Sequence, residues 1–324
     1  MPKAIRFHQT GGPEVLQCVE AAIGEPAAGE ARVRHTAIGV NFIDTYHRTG
    51  LYPLPLPSGL GGEAAGMVEA VGPGVTHVQP GDRVGYAGGP PGSYAEVRVL
   101  PADRLLKLPA GISDQQAAAM LLKGMTAQYL IRRTYRVQPG ETVLFHAAAG
   151  GVGLIACQWL KALGATVIGT VGSEEKAQLA KAHGCEHVIH YRVEDVAKRV
   201  REITGGEGVP VVYDSVGQST FAGSLDSLRP RGLLVSFGNA SGPVQPFPLS
   251  LLTQKGSLYV TRPTLATYTA TRDELEATAR ELFDIVQSGQ VQIAVHHTYK
   301  LQNVQQVHAD LESRRTTGSV IMLP

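Results

Sequence analysis

The residues best suited to chemistry form a short glycine-rich run, AAGGVG at 148–153, near the middle of the chain. It follows the apolar stretch ETVLF and precedes a helical pattern, so it lies where a strand turns into a helix. Gly150 lets the backbone approach a pyrophosphate, and Gly153 lets the helix pack close to the strand. The N–H groups of Gly151 and Val152, with the helix dipole, favour a bound phosphate. The pattern predicts a dinucleotide-binding loop, with alanine where the first glycine usually stands.

The tip of the next predicted strand indicates which dinucleotide binds. An NAD site typically has Asp or Glu there, whereas this chain has Gly172 and Ser173, with Lys176 one turn later. Tyr191, after the third strand, adds a further hydroxyl donor. A small residue and a lysine leave room and positive charge for a 2′-phosphate, so we expect NADPH. The two glutamates before Lys176 suit the first turn of a helix, and Lys176 alone could also be a solvated helix residue.

Strands and helices must alternate to position these residues, and the pattern after about residue 140 does so. It predicts a Rossmann-type α/β unit, a doubly wound parallel sheet with helices on both faces. Four β-type runs, at 31–41, 64–72, 82–87 and 93–101, predict a mostly β region before it. Residues 113–135 are helical, and we expect Gly124 to break them into two helices. Two amphipathic helices and a strand close the chain.

Composition excludes several classes of protein. The chain has 324 residues, 43% of them hydrophobic and 18% charged, with a net charge of +1, which suits a soluble globular protein and argues against a dedicated nucleic-acid binder. The three cysteines form no CxxC pair, so neither a zinc lobe nor a disulfide framework is indicated. The chain contains no run of about 18 apolar residues, so no membrane span is predicted. Its first residues do not resemble a signal peptide. We expect a cytoplasmic protein.

Several longer stretches resemble those of one enzyme family. They are GVNFIDTYHRTGLYP (39–53), LPSGLGGEAAGMVEAVG (56–72), AAMLLKGMTAQYL (118–130), HAAAGGVG (146–153), YDSVG (213–217), LVSFGNASG (234–242), VTRPTLATY (260–268) and LESRRTTGSVIML (311–323). Together they resemble the ζ-crystallin-like quinone oxidoreductases, a zinc-free branch of the medium-chain dehydrogenase/reductase superfamily. The resemblance implies a Rossmann-type NADPH-binding domain at 125–263. That domain would be inserted in a mostly β, GroES-like catalytic domain formed by residues 1–124 and a C-terminal return at 264–324.

The chain departs from the zinc-dependent members of that superfamily. Asn41 stands where they have a cysteine ligand, and Gly62 replaces the histidine of their Gly-His-Glu segment. The cysteine-rich loop of their structural zinc site is also missing. Zinc polarises the alcohol or carbonyl oxygen in such enzymes, so we expect no metal and no oxidation of simple alcohols. His47 is the nearest substitute ligand, but we interpret it as a packing or hydrogen-bonding residue.

The resemblance also implies roles for individual residues. The candidate catalytic residues are Asn41, Tyr46 and Tyr52. Asn41 would form a hydrogen bond, and the two tyrosines would line the quinone site. The alternative for both tyrosines is that they are ordinary aromatic residues of the hydrophobic core. Arg314 is a cofactor candidate whose alternative is a surface charge. The predicted cofactor-binding residues are Asn41, Phe42, Tyr46, Lys123, Thr126, Tyr129, Gly150, Gly151, Val152, Gly172, Ser173, Lys176, Tyr191, Ser215, Phe237, Gly238, Thr261, Arg262 and Arg314.

The activity implied is NADPH-dependent reduction of quinones by hydride or electron transfer from the nicotinamide. An alternative within the same cofactor chemistry is the reduction of α,β-unsaturated ketones or aldehydes. A less favoured alternative is an RNA-binding or structural, crystallin-like role. The resemblance further implies a homodimer, formed through the nucleotide-binding domain.

Overall fold

The computed structural model describes every residue, 1–324, and the chain divides into two units. The first unit contains Met1–Met125, Thr269–Gln287 and Ile293–Pro324, and the second contains Thr126–Tyr268 and Ser288–Gln292. The chain therefore leaves the first unit twice, first to build most of the second unit and then for the short segment Ser288–Gln292.

Sixteen strands and ten α-helices make up the two units. The strands are β1 (Lys3–Phe7), β2 (Gln17–Glu20), β3 (Glu30–Val40), β4 (Ser58–Gly59), β5 (Glu63–Val71), β6 (Arg83–Ala87), β7 (Val97–Pro101), β8 (Leu106–Lys107), β9 (Thr142–Phe145), β10 (Thr166–Val171), β11 (His187–His190), β12 (Val209–Asp214), β13 (Leu228–Ser236), β14 (Tyr259–Thr261), β15 (Val295–Lys300) and β16 (Ser319–Leu323). The helices are α1 (Phe42–Thr49), α2 (Asp114–Tyr129), α3 (Gly151–Ala162), α4 (Glu174–Ala182), α5 (Val196–Ile203), α6 (Phe221–Ser227), α7 (Ser250–Gln254), α8 (Leu265–Tyr268), α9 (Arg272–Gln287) and α10 (Val304–Glu312). A π-helical turn, Leu130–Thr134, continues α2.

The first unit is built on β-sheets, as its composition predicted. A seven-stranded sheet runs in the order β15-β16-β3-β5-β6-β8, with β7 also paired to β3, and a three-stranded sheet runs β2-β1-β4. All pairs are antiparallel except β15 with β16. The buried core includes Phe7, Ile38, Leu60, Tyr86 and Leu105. Antiparallel strands need only short connections, which explains the many glycine and proline turns.

The second unit contains one six-stranded parallel sheet in the order β11-β10-β9-β12-β13-β14. The first strand, β9, lies in the middle, and the chain builds outward first to one side and then to the other. This is the doubly wound order in which ligands bind at the carboxyl ends of the central strands. The strands carry continuous apolar runs, because helices cover both faces. The predicted α/β fold is therefore confirmed.

The predicted break of α2 at Gly124 is wrong. The helix continues from Asp114 to Tyr129 without interruption. A Cβ on Gly124 would come within 2.5 Å of Leu282 Cδ1 on α9, so the glycine provides close helix packing rather than a helix end.

The boundaries between the units differ in detail from the expected 124 and 263. The second unit begins at Thr126, ends at Tyr268 and takes in Ser288–Gln292. The short return segment is attached by Gln158 on α3, whose side-chain nitrogen donates to Gln292 O and whose side-chain oxygen accepts from Gln292 N. Such contacts between distant residues leave no trace in sequence periodicity. No helix in either unit is both long enough and apolar enough to be a candidate membrane span.

Candidate active site

The predicted phosphate loop lies at the carboxyl end of β9 and leads into α3. Gly150 is the N-cap of α3, and the helix begins at Gly151. The first N–H groups of a helix have no acceptor within it and carry the positive end of the dipole, so Gly151 and Val152 offer donors to an anion. Ala148 does not have the positive φ that favours glycine, and its N–H donates to Thr170 O at 3.1 Å. Alanine therefore fits where other such loops have glycine.

The two later glycines of the loop serve different purposes. A Cβ on Gly153 would lie 2.5 Å from Ala147 O and 2.6 Å from Ala148 O, so no larger residue fits there. A Cβ on Gly150 would meet only Ala147 O, at 3.1 Å. Gly153 is therefore required by packing within the loop, whereas the space above Gly150 remains available to a ligand.

A buried chain of hydrogen bonds anchors this loop to the sheet. Ser224 Oγ donates to Asp214 Oδ2 at 2.8 Å and therefore accepts from His146 Nε2 at 3.0 Å. Burial lowers the pKa of His146, so its ring is neutral and Nδ1 accepts from Thr170 Oγ1 at 3.0 Å. Thr170 Oγ1 in turn accepts the Ala147 N–H at 3.3 Å. These bonds join the carboxyl ends of β9, β10 and β12, and His146, Asp214 and Ser224 are residues that the sequence analysis did not single out.

The residues predicted to select NADPH lie together after β10 and β11. Ser173 is the N-cap of α4, and its Oγ accepts from Lys176 N at 3.4 Å. A Cβ on Gly172 would come within 2.5 Å of Tyr191 Oη, so the tyrosine hydroxyl lies directly against the glycine. Glu174, the residue after Ser173, lies beside His190, whose Nε2 is 3.3 Å from the Glu174 carboxylate. Gly172 and Ser173, rather than an acidic residue, therefore follow β10 directly, and Glu174 and Glu175 begin α4.

Further predicted residues meet at the carboxyl ends of β12, β13 and β14. Gly238 packs against Ser215, because a Cβ at 238 would lie 2.4 Å from Ser215 O. Phe237 N donates to Asp214 O at 2.8 Å. Arg262, directly after Thr261 at the end of β14, donates to Gly238 O at 3.4 Å. The structure therefore brings four predicted residues together at the carboxyl ends of the strands, where ligands bind in this fold. They are Ser215, Phe237, Gly238 and Arg262.

Tyr129 belongs to an aromatic group of the second unit. Its ring stacks on Tyr268 with centroids 4.6 Å apart and planes 15° from parallel, and the Arg133 guanidinium lies over Tyr268. Burial raises the pKa of Tyr129, and Arg262 opposes that shift. Tyr268 is a neighbour that the sequence analysis did not predict. Thr126, three residues before Tyr129, is also buried.

Two further candidates of the first unit, Asn41 and Lys123, lie around one buried carboxylate, that of Glu63. Asn41 Nδ2 donates to Glu63 Oε2 at 2.7 Å, and Lys123 Nζ lies 3.2 Å from the same oxygen. The side chains come from the end of β3, the start of β5 and the middle of α2. The structure thus brings Asn41 and Lys123 together and adds Glu63, which the sequence analysis did not name.

Phe42, Tyr46 and Tyr52 form a row of edge-to-face rings. The Phe42 and Tyr46 centroids are 5.6 Å apart, and those of Tyr46 and Tyr52 are 5.2 Å apart. Tyr46 is buried, while Phe42 and Tyr52 are half-buried. His47 Nδ1 donates to Tyr52 O at 3.3 Å, a local hydrogen bond of the kind expected. The row offers flat apolar surface and two hydroxyl groups on the first unit.

Asp44 is a buried acid that the sequence analysis did not single out. It stands at the third position of α1, and its Oδ2 accepts from Asn41 N and from Tyr94 Oη, both at 2.8 Å. Burial raises the pKa of Asp44 to about 7, against the lowering effect of these two hydrogen bonds. An acid three residues after an asparagine N-cap is the signal that could have identified it.

Arg314 is exposed just after α10 and has a φ of 60°; its contact with the cofactor remains a prediction. No group of three or more His, Cys, Asp or Glu residues in the structure could hold a metal ion. Gly62, at the position of a metal ligand in zinc relatives, has open space around it, since a Cβ there would meet nothing closer than Gly88 N at 3.9 Å.

Two family models match the chain. Residues 27–110 match the alcohol dehydrogenase GroES-like domain, and residues 151–283 match the zinc-binding dehydrogenase family. The mostly antiparallel first unit and the doubly wound second unit agree with these matches. A GroES-like domain joined to a Rossmann-type domain defines the medium-chain dehydrogenase/reductase superfamily.

Individual relatives narrow the assignment. The chain is 57% identical, over the full length of both proteins, to the quinone oxidoreductase of Pseudomonas aeruginosa. The solved structure of Escherichia coli quinone oxidoreductase complexed with NADPH is 56% identical, with a TM-score of 0.98 over 99% of this chain and 100% of that one. A 2-haloacrylate reductase from a Burkholderia species is 47% identical over 100% of this chain and 99% of its own. The chain belongs to the quinone oxidoreductase family, which confirms the resemblance found in its sequence.

Proposed function

We propose that this protein reduces quinones with NADPH and without a metal ion. The observation that carries the proposal is a complete phosphate loop on a chain that is 56% identical to a quinone oxidoreductase solved with NADPH. The residues present fit that cofactor, because Gly150 leaves space for a pyrophosphate and no carboxylate occupies the tip of β10. Ser173, Lys176 and Tyr191 would hold the 2′-phosphate.

Bound NADPH supplies a hydride from its nicotinamide ring, which is the chemical step that the protein itself cannot perform. The protein's contribution is to bind and orient. The nicotinamide half of NADPH would be held at the carboxyl ends of the strands by Phe237, Gly238 and Arg262. Asn41 would accept or donate a hydrogen bond to cofactor or substrate. Tyr46 and Tyr52 would give a flat quinone an aromatic surface and a hydroxyl donor.

Steady-state kinetics test this proposal. Purified protein is given NADPH and a panel of quinones, and separately a panel of α,β-unsaturated ketones and aldehydes, while NADPH oxidation is followed. We expect higher kcat/KM for quinones. A consistently higher kcat/KM for the unsaturated carbonyl compounds would replace the proposed substrate class, and no oxidation with either panel would overturn the enzymatic assignment.

The reduction of activated double bonds is the second candidate, and one observation favours it. The chain is 47% identical along its whole length to a 2-haloacrylate reductase. Both reactions deliver hydride to an electron-poor, conjugated acceptor. The same residues would serve both, and the two substrate panels separate them.

The assembly and location are further parts of the proposal. β14 is an edge strand of the parallel sheet, and Tyr259 on it is 62% exposed. An open edge strand with a large exposed side chain is suited to pairing with a second copy, so we propose a homodimer formed through the second unit. Cys157 and Cys185 are buried free thiols, which suits the reducing cytoplasm. A net charge of +1 does not favour nucleic acid as a partner.

A further inference from the structure

Glu63 is one of the most thoroughly buried ionisable groups of the first unit, with 0% exposure. Its Oε1 accepts the Leu122 N–H at 2.7 Å. Its Oε2 accepts from Asn41 Nδ2 at 2.7 Å and lies 3.2 Å from Lys123 Nζ. Both carboxylate oxygens are therefore satisfied by donors, as a buried charge requires.

The surrounding backbone leaves a space that fits this carboxylate closely. A Cβ on Gly39 would lie 2.2 Å from Glu63 Oε2 and 2.3 Å from Ala118 O. The glycine in β3 thus allows the carboxylate to lie between β3 and α2. Because Asn41 follows two residues later, the same stretch of β3 sets the position of both groups.

The contacts fix what Asn41 and Lys123 can offer to a ligand. The Asn41 amide nitrogen donates to Glu63, which sets the orientation of the amide group. The Lys123 side chain is only 7% exposed, and the Glu63 carboxylate beside it supplies a counter-charge. Without Glu63, the amide could rotate and the ammonium would be buried without a counter-charge.

We propose that Glu63 is a positioning residue for the reduction, which orients the Asn41 amide and holds the Lys123 ammonium in place at the substrate end of the first unit. This inference rests on the proposed function. The fixed positive charge stabilises negative charge that develops on the acceptor oxygen as hydride arrives, and a preorganised charge is most effective when it does not move during the reaction.

Glutamine cannot replace Glu63 in this arrangement. Its amide has one acceptor oxygen and one NH₂ group, whereas the site presents N–H donors to both oxygens. In either orientation the NH₂ group would face a donor, from Leu122 on one side or from Asn41 and Lys123 on the other. Glu63→Gln therefore keeps the volume and removes both the charge and one acceptor.

The test compares Glu63→Gln, Lys123→Met and the double variant with the wild type. We expect kcat for a quinone to fall about 10- to 100-fold in Glu63→Gln, since small misplacements cost this much, while its NADPH dissociation constant changes less. The double variant removes the unpaired buried charge, so it should recover most of the melting temperature lost in Glu63→Gln. Its kcat should stay as low as in the single variants.

Glu312→Gln is the matched control. Glu312 pairs with the buried guanidinium of Arg48 in the same unit, so its loss should lower the melting temperature and leave kcat unchanged. A Glu63→Gln protein with wild-type kcat would overturn the inference. So would a double variant that recovers kcat together with its melting temperature, because Glu63 would then only neutralise Lys123. A wild-type protein inactive with both substrate panels overturns the proposed function, and the inference with it.

Discussion

The buried carboxyl of Asp44 should make stability depend on pH in a way that one substitution removes. Its pKa is raised to about 7 by burial in the folded protein, whereas an unfolded chain gives Asp a pKa of about 3.9. Between these values the folded state holds a proton that the unfolded state releases. The stabilisation is therefore complete below the unfolded pKa and is lost as the pH rises through about 7.

The magnitude follows from that interval. Each pH unit over which one proton is bound only in the folded state changes the free energy of unfolding by about 1.4 kcal/mol. Between pH 5 and pH 7 the folded carboxyl is mostly protonated and the unfolded one is not, so Asp44 should remove about 2 kcal/mol of stability over this range. Asp44→Asn keeps an oxygen acceptor for Asn41 N and Tyr94 Oη and does not titrate.

Urea unfolding followed by circular dichroism, at fixed protein concentration and at pH 5, 6, 7 and 8, measures the effect. The wild type should lose stability relative to Asp44→Asn by about 2 kcal/mol from pH 5 to 7. Asp103→Asn is the control, because the Asp103 side chain is 62% exposed, and its difference from wild type should stay flat. A flat difference for Asp44→Asn as well, or one of opposite slope, would refute the assignment of the raised pKa.

Other outcomes concern the cofactor, Tyr46 and the assembly. Gly150→Ala should fold normally and bind NADPH at least about tenfold more weakly in a fluorescence titration. Gly153→Ala should instead lower the melting temperature, because its Cβ meets two carbonyl oxygens. If the two variants behaved alike in thermal unfolding and in NADPH titration, the different roles assigned to the two glycines would be contradicted. The wild type should bind NADPH at least about tenfold more tightly than NADH, and equal dissociation constants would refute this. Lys176→Ala should weaken the binding of NADPH more than the binding of NADH, since a hydrogen bond to a charged group contributes about 1.5–3 kcal/mol. Tyr46→Phe should lower kcat for quinones by about tenfold or more if its hydroxyl assists the reaction, and unchanged kcat would leave Tyr46 as a packing residue. Tyr259→Asp should shift the protein from dimer to monomer in sedimentation velocity, and an unchanged sedimentation coefficient would exclude β14 as the interface.

The second unit was predictable because its signals are local. The strand, glycine loop and helix from β9 to α3 are contiguous in sequence, and alternation of apolar runs with helical patterns predicts a parallel sheet. Gly124 shows the limit of this reasoning. A glycine inside a helical pattern can mean a helix end or a close approach of another element, and only the position of Leu282 decides between them.

The candidate site was predictable in part for the same reason. The resemblance named Asn41 and Lys123, but Glu63, which joins them, is separated from them by 22 and 60 residues. No spacing rule connects residues that come from a strand, another strand and a helix. His146 and Ser224 were not predicted for the same reason. They come from different parts of the chain, and a single buried histidine or serine produces no sequence pattern. Asp44 was within reach through its place in a capping box.

The anchoring chain behind the phosphate loop has a consequence for proton movement. Its donors all point one way, from the Ala147 N–H through Thr170 and His146 to Ser224 and finally Asp214. A proton can travel along such a chain only if every bond reverses its direction, and a backbone amide at one end cannot reverse. The chain therefore carries no proton past the Ala147 amide, and it holds the phosphate loop to the sheet without linking it to a route for proton supply.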